Sequence, residues 1–328
     1  MLTKNLKTSA VKARLGYTRI GVAEAEKRAT ALFVRGPDPM LASAEGDREA
    51  SVNISMPSAD GTGGVHIVGE NLSAAWVAAT DALMQPGVHA IEPLVVTLTG
   101  FDGDNRPLEV PGVSALIDAA LRSLQDDVGM KKGKKQRPPA LSVGTVASTM
   151  FPESIWNPAA PRANLYSAYK KMLPRLKRHR RNERGLYFER LIAYGSGPEN
   201  GNQLEHMIRA FESGVKRISA YQAPIVKPET DSTSEPYGVF PCLQQIAVLP
   251  SASKRTLAIT GFYGTQYLFE RGYGNFLGLS RIGRFLAHEM GLKLTRVTCV
   301  ASHATAGDFG KERGRKLVAA AKAACGDK

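Results

Sequence analysis

A chain of 328 residues with 43% hydrophobic and 22% charged residues has ordinary globular composition, long enough for one large domain or two modest ones. Its formal net charge of +13 excludes an acidic, solvating class of protein and favours contact with phosphate, on a nucleotide or on a polymer. No uninterrupted apolar run approaches the length that crosses a bilayer, so a membrane protein is not expected.

Met1 to Arg14 carries several lysines with no apolar segment behind them, which reads as a solvated basic terminus rather than a secretory signal. Residues 31–70 are rich in Gly, Ser and Asp, with short strand-like pieces at 31–34 and 65–68. A helix is predicted to open after Asn71 and run through Leu83, with Trp76 as core. A strand follows over 93–101 and ends in the turn residues Asp102-Gly103-Asp104-Asn105. A helix is predicted over 113–124, then an exposed basic loop over 126–139. Residues 128–139 are the exposed basic loop proper, and Lys131 to Pro139 within it is the best candidate for a hinge or insertion.

Residues 165–180 read as a helix with one apolar face and one heavily basic face. The basic run there comprises Lys170, Lys171, Arg175, Lys177, Arg178, Arg180, Arg181 and Arg184. Such a run is most simply a solvated face; nucleic-acid binding is the sharper reading. Residues 186–194 fit a strand or a short helix. Asn202 with Glu205 resembles a capping box. A strand is predicted over 216–221, and a strand pair over 243–249 and 256–263, turning at 250–254. A helix is predicted over 275–290, a strand over 294–301 and a closing helix over 309–324. Strands and helices in this mixed order predict a single α+β domain across residues 1–328, whose residues 1–70 are its least regular part.

Three cysteines, Cys242, Cys299 and Cys325, make no disulfide framework. Neither they nor the six histidines fall at metal-ligand spacing, so no metal is expected, and a reducing cytoplasm is the natural setting. No phosphate-binding glycine loop, dinucleotide fingerprint or Gly-x-Ser-x-Gly elbow is present. Cys242 stands after Pro241, where a long polar loop meets an apolar strand, as a nucleophile would. Cys299 within a strand reads as core, and Cys325 as part of the tail. Asn275 at a helix head serves equally as a cap or as a reader of a planar amide edge. A thiolate with a pKa lowered by nearby cations adds to C6 of a pyrimidine and makes C5 nucleophilic.

These pieces, in order, resemble the thymidylate synthase family, including its pyrimidine hydroxymethylases. Asn202-Gln203-Leu204 is similar to the family's Asp-Gln-Ile helix start. Lys216-Arg217-Ile218 falls where the family has an Arg-Arg pair, and Pro241-Cys242 at its nucleophile. Asn275 leads a helix of matching length that ends Ala287-His288-Glu289-Met290-Gly291-Leu292. Ser302-His303 falls at the family's strand-end histidine, and Tyr187 in Gly185-Leu186-Tyr187 is a weaker match.

The resemblance implies a bent mixed sheet that dimerises through one face. It implies Cys242 as nucleophile, Asn275 and Gln203 at the pyrimidine nucleotide, and His303 at the sugar or an ordered water. Lys216 and Arg217 would contact phosphate from the partner of a homodimer, and methylenetetrahydrofolate would donate the carbon near Tyr187 and Tyr267. The chain departs from the pattern after the nucleophile. Gly264-Thr265 replaces the phosphate-binding Arg-Ser, Tyr267 replaces a folate-contacting aspartate, and Thr305 replaces a tyrosine. Arg271 is the nearby cation that would restore the lost charge. The expected activity is C5 methylation or hydroxymethylation. The alternative is a catalytically altered relative that binds a nucleotide, a nucleic acid or a protein.

Overall fold

The computed structural model describes residues 52–55, 64–129, 140–234 and 240–326. Its strands are β1 (Val52–Ser55), β2 (Val65–Gly69), β3 (Ala90–Ile91), β4 (Leu94–Leu98), β5 (Gln222–Pro224), β6 (Leu243–Ser251), β7 (Thr256–Tyr267) and β8 (Lys293–Thr305). They form one sheet in the order β1-β2-β4-β8-β7-β6-β5, with β3 pairing the end of β8. The pairs β2–β4 and β7–β8 are parallel and the others antiparallel, so the fold is mixed α+β.

Helices α1 (Leu72–Met84), α2 (Val113–Gly129), α3 (Val143–Met150), α4 (Arg162–Lys177) and α5 (Tyr187–Ile192) precede β5. Helices α6 (Gln203–Glu212), α7 (Pro228–Asp231), α8 (Tyr273–Glu289) and α9 (Lys311–Ala324) complete the described set. Alternation divides the sheet into two faces. Ile259, Gly261 and Tyr263 of β7 and Val297, Cys299 and Ala301 of β8 point inward and are buried. The other face carries Ala247, Leu249, Thr260, Phe262, Thr298 and Val300, all half-buried or exposed, with Leu249 and Phe262 at 45% and 40% exposure.

Helix α8 seats on β7 through missing side chains. A Cβ on Gly261 would lie 2.9 Å from Leu279, and one on Gly283 would lie 3.0 Å from Ile259. On its other side, Cβ atoms on Gly274 and Gly278 would lie 2.5 Å from Val146 and 2.8 Å from the Met150 sulfur, so α3 packs against α8 almost backbone to backbone. Trp76 is wholly buried. Its indole Nε1 donates to Leu268 O at 2.9 Å, tying α1 to the π-helical turn Leu268–Gly272 that leads into α8.

Several expectations change. Asn71 caps α1 by accepting from the amides of Ser73 and Ala74, as read. Asn202 caps α6 through the Glu205 amide, but the Glu205 carboxylate reaches Arg162 and Arg209 instead of closing the box. Helix α2 continues to Gly129, past the expected loop start, and residues 130–139 lie outside those described, as do 31–34. Within residues 186–194, which fitted a strand or a short helix, Tyr187–Ile192 form helix α5. The predicted strand over 216–221 is a loop and the 3-10 turn Ile218–Ala220, because Tyr221 Oη donates to Val215 O and folds the segment on itself. Asn275 is not the cap: the π turn carries helical geometry back to Tyr273, so Asn275 is the helix's third residue.

Candidate active site around Cys242

Cys242 immediately precedes β6, with its carbonyl accepting from the Gly264 amide of β7 at 3.1 Å. Its own amide donates to Tyr187 Oη at 3.3 Å, and Tyr187 packs against Phe240 with ring centroids 4.9 Å apart. The residue is solvent-exposed, yet enough protein surrounds the sulfur that desolvation raises the thiol pKa. The Arg271 guanidinium opposes that rise without cancelling it. The expectation of a lowered pKa is thus corrected: burial outweighs the cation. The same burial pushes the Tyr187 and Tyr263 hydroxyls up, with Cys242 the next contributor at Tyr187 and a smaller one at Tyr263. Cys242, Arg271, Tyr187 and Tyr263 therefore share one electrostatic neighbourhood.

Asn275 joins it by helix geometry. Gly283 and Leu279 sit over Ile259 and Gly261. Four residues of helix advance about 6 Å, nearly the length of two strand residues. One turn further along that direction, ideal geometry carries Asn275 toward the Tyr263 end of β7. Asn275 is 6% exposed as a residue, but its amide is not among the solvent-excluded side-chain atoms that lack a partner, so water reaches it.

His303 follows Val297, Cys299 and Ala301 at two-residue spacing and pairs in register with Thr265. It stands two strands from Cys242, roughly 10 Å across the sheet. Its Nδ1 lies 2.5 Å from Glu92 Oε1; with Nδ1–H as donor, Nε2 is left to accept.

Other expected residues sit elsewhere. Gln203 donates to Arg190 O and Pro224 O, both at 2.9 Å, so its amide N–H groups tie α5 to β5. Lys216 and Arg217 are exposed in the loop before Tyr221, whose carbonyl accepts from Val248 N. That point is six residues along β6 from Cys242, or roughly 20 Å. Tyr267 is 45% exposed at the C-terminal end of β7, three residues beyond Gly264 and opposite Thr305. Trp156 is 9% exposed, His288 meets Pro158 O, Glu189 accepts from Lys177 and Leu186 N, and Glu270 accepts from Asp308 N, so each is engaged within the fold. Cys299 is buried, and its thiol is pushed up to about 12 by burial.

The residues missed by sequence are Tyr263, Glu92 and the buried pair Arg190–Asp231. Arg190 donates to both Asp231 oxygens at 3.1 and 2.9 Å and to the carbonyls of Ile225 and Arg184. Its guanidinium lies 5.3 Å from the Phe240 ring centroid. One signal was present: an arginine amid the apolar positions of Tyr187–Ile192. Two surface concavities lie away from Cys242. One, of about 510 Å³, is lined by Arg162 and Glu205; the other, of about 530 Å³, by Arg281 and Glu153. In both, those charges already pair with each other.

Arg271→Gln is expected to raise the thiol pKa further. Iodoacetamide alkylation of Cys242, followed by peptide mass spectrometry, should slow several-fold below the thiol's titration and its pH curve should move upward. An unmoved curve would remove Arg271 from the site. Compared with models of protein families and with curated proteins, the chain matches none.

Proposed function

We propose that the Cys242 site performs C5 chemistry on a pyrimidine through a covalent adduct. The supporting observation is the convergence of Cys242, Arg271 and Tyr187 at one end of β7, toward which the N-terminal turn of α8 carries Asn275. The thiolate adds to C6, and the ring's π electrons move toward C5 and the C4 substituent. C5 then takes a one-carbon electrophile, the C5 proton leaves to solvent, and expulsion of the thiolate restores the double bond. Asn275 supplies a donor and an acceptor to the ring edge, and His303 Nε2 accepts from a sugar hydroxyl. A reducing cytoplasm, which keeps Cys242 a thiol, belongs to this reading.

Methylenetetrahydrofolate is the carbon donor of the resembled family, but the carried-over contacts do not form one folate surface. Tyr187 is engaged at Cys242, while Tyr267 is exposed three residues beyond Gly264. No folate step is assigned to this chain. The test therefore needs no carbon donor: tritium should leave C5 of labelled uracil or cytosine nucleotides by addition, solvent protonation and elimination. Absence of release from every such nucleotide would falsify the reading. The raised thiol pKa supports a second reading, a catalytically altered pyrimidine binder. It predicts nucleotide binding by wild type and Cys242→Ala alike, with no release from either.

A homodimer through the open sheet face fits the same picture. Leu249 and Phe262 expose large apolar side chains there, and Lys216 and Arg217 lie too far from Cys242 to serve their own site. Phe262→Asp should weaken self-association at least tenfold, about 1.4 kcal/mol, in sedimentation velocity. A wild-type monomer at all concentrations would exclude this dimer.

A further inference from the structure

We infer that the pyrimidine presented to Cys242 belongs to a single-stranded polynucleotide, held by the basic face of α4 and the loop that follows it. The inference rests on the proposed C5 chemistry and adds the substrate class. At 100° per residue, Lys170, Lys171, Arg175 and Arg178 fall within an arc of about 140°. Leu165, Tyr166, Tyr169 and Leu173 occupy the opposite side and pack inward. All four cations are exposed and, with Arg180, have no ion-pair partner among the described residues. Lys177 is different, being paired with Glu189 at 2.9 Å; Glu183 is the exposed acid in the loop.

The chain that follows the stripe runs to the nucleophile. Asn182 anchors the loop to Leu176 O at 3.0 Å, and the Arg184 carbonyl accepts from buried Arg190. A Cβ on Gly185 would lie 3.0 Å from the Phe240 ring, and Tyr187, two residues on, touches Cys242. From Lys170 to Arg178 the helix alone advances about 12 Å. One phosphate needs two or three cations at one point, whereas a stripe of this length tracks successive phosphates. The Tyr187 and Phe240 rings at its end offer the aromatic surface on which an unstacked base rests.

The test is fluorescence anisotropy with a labelled oligodeoxyuridylate across a salt series. Wild type and Lys170→Gln/Lys171→Gln/Arg175→Gln/Arg178→Gln are compared, with thermal unfolding as the fold control. Wild type should bind with a log–log salt slope of about −3, four contacts at about 0.7 each, and the variant should lose about 100-fold in affinity with most of the slope. Equal binding by a folded variant, a flat wild-type slope, or capture by phosphatidylserine vesicles without oligonucleotide binding overturns the proposal. If the variant does not fold, the wild-type slope decides. Binding needs no chemistry and is read equally in Cys242→Ala. Tritium release from mononucleotides without oligonucleotide binding would sink this inference alone, and oligonucleotide binding without any release would sink only the C5 chemistry.

Discussion

Cys242→Ala is expected to abolish tritium release from C5, a loss on the order of 10⁴-fold or more, while pyrimidine binding persists. The sulfur is the atom that bonds C6, and no other thiol substitutes: Cys299 is buried in β8 and Cys325 caps the C-terminal end of α9. The binding groups are untouched, since Tyr187 hydrogen-bonds the Cys242 backbone amide rather than its side chain. Wild-type release should also climb with pH. Burial holds the thiol above its ordinary value, so the thiolate fraction grows about tenfold per pH unit below that titration. Mass spectrometry of a trapped adduct with a 5-fluoropyrimidine checks the same bond. An adduct on the Ala variant, or release unaffected by it, would remove Cys242 from the mechanism.

Breaking the Arg190–Asp231 pair should produce the largest loss of stability, about 3–5 kcal/mol for Arg190→Ala or Asp231→Asn in urea unfolding. The two side chains are 7% and 4% exposed, so removing either leaves a buried charge uncompensated. Burial by itself would raise the Asp231 carboxyl. The Lys227 amide and the Arg190 guanidinium outweigh it and hold the group below the usual carboxylate range. A depressed carboxyl contributes stability above its unfolded pKa, about 3.9, and that contribution is lost as pH falls through the lower folded value. The wild-type advantage over Asp231→Asn should therefore be full near neutrality and shrink below about pH 4. An advantage independent of pH would show that the pair does not act through its charge. Because Arg190 also underlies Phe240 and holds Arg184 O, the destabilised variants should lose C5 release as well.

Local signals carried much of the fold. The Asn71 cap, the β6–β7 hairpin and the amphipathic α4 each follow from residues close in sequence. The segment 216–221 failed because its pattern suits a strand, while the Tyr221 hydroxyl satisfies Val215 O and closes a turn instead. Asn275 looked like a cap because caps are what asparagines usually supply. The π turn before it has no side-chain signature, and α8 starts without a capping hydrogen bond. At the site, the Arg271 charge acts on the Cys242 thiol from 29 residues further along the chain. Tyr263 was hidden within strand alternation, and Glu92 meets His303 across 211 residues of chain. The Arg190–Asp231 pair spans 41 residues, beyond any local pattern.

Trp76 gives the molecule its own optical probe. The chain holds two tryptophans, and this one donates to Leu268 O, three residues before Arg271. The other, Trp156, lies beneath Arg284 with the guanidinium 4.9 Å from its ring. In a Trp156→Phe protein, all indole emission arises one hydrogen bond from the turn that carries the site's cation. A ligand that draws on Arg271 is therefore expected to shift that emission, a label-free readout of occupancy at the Cys242 site.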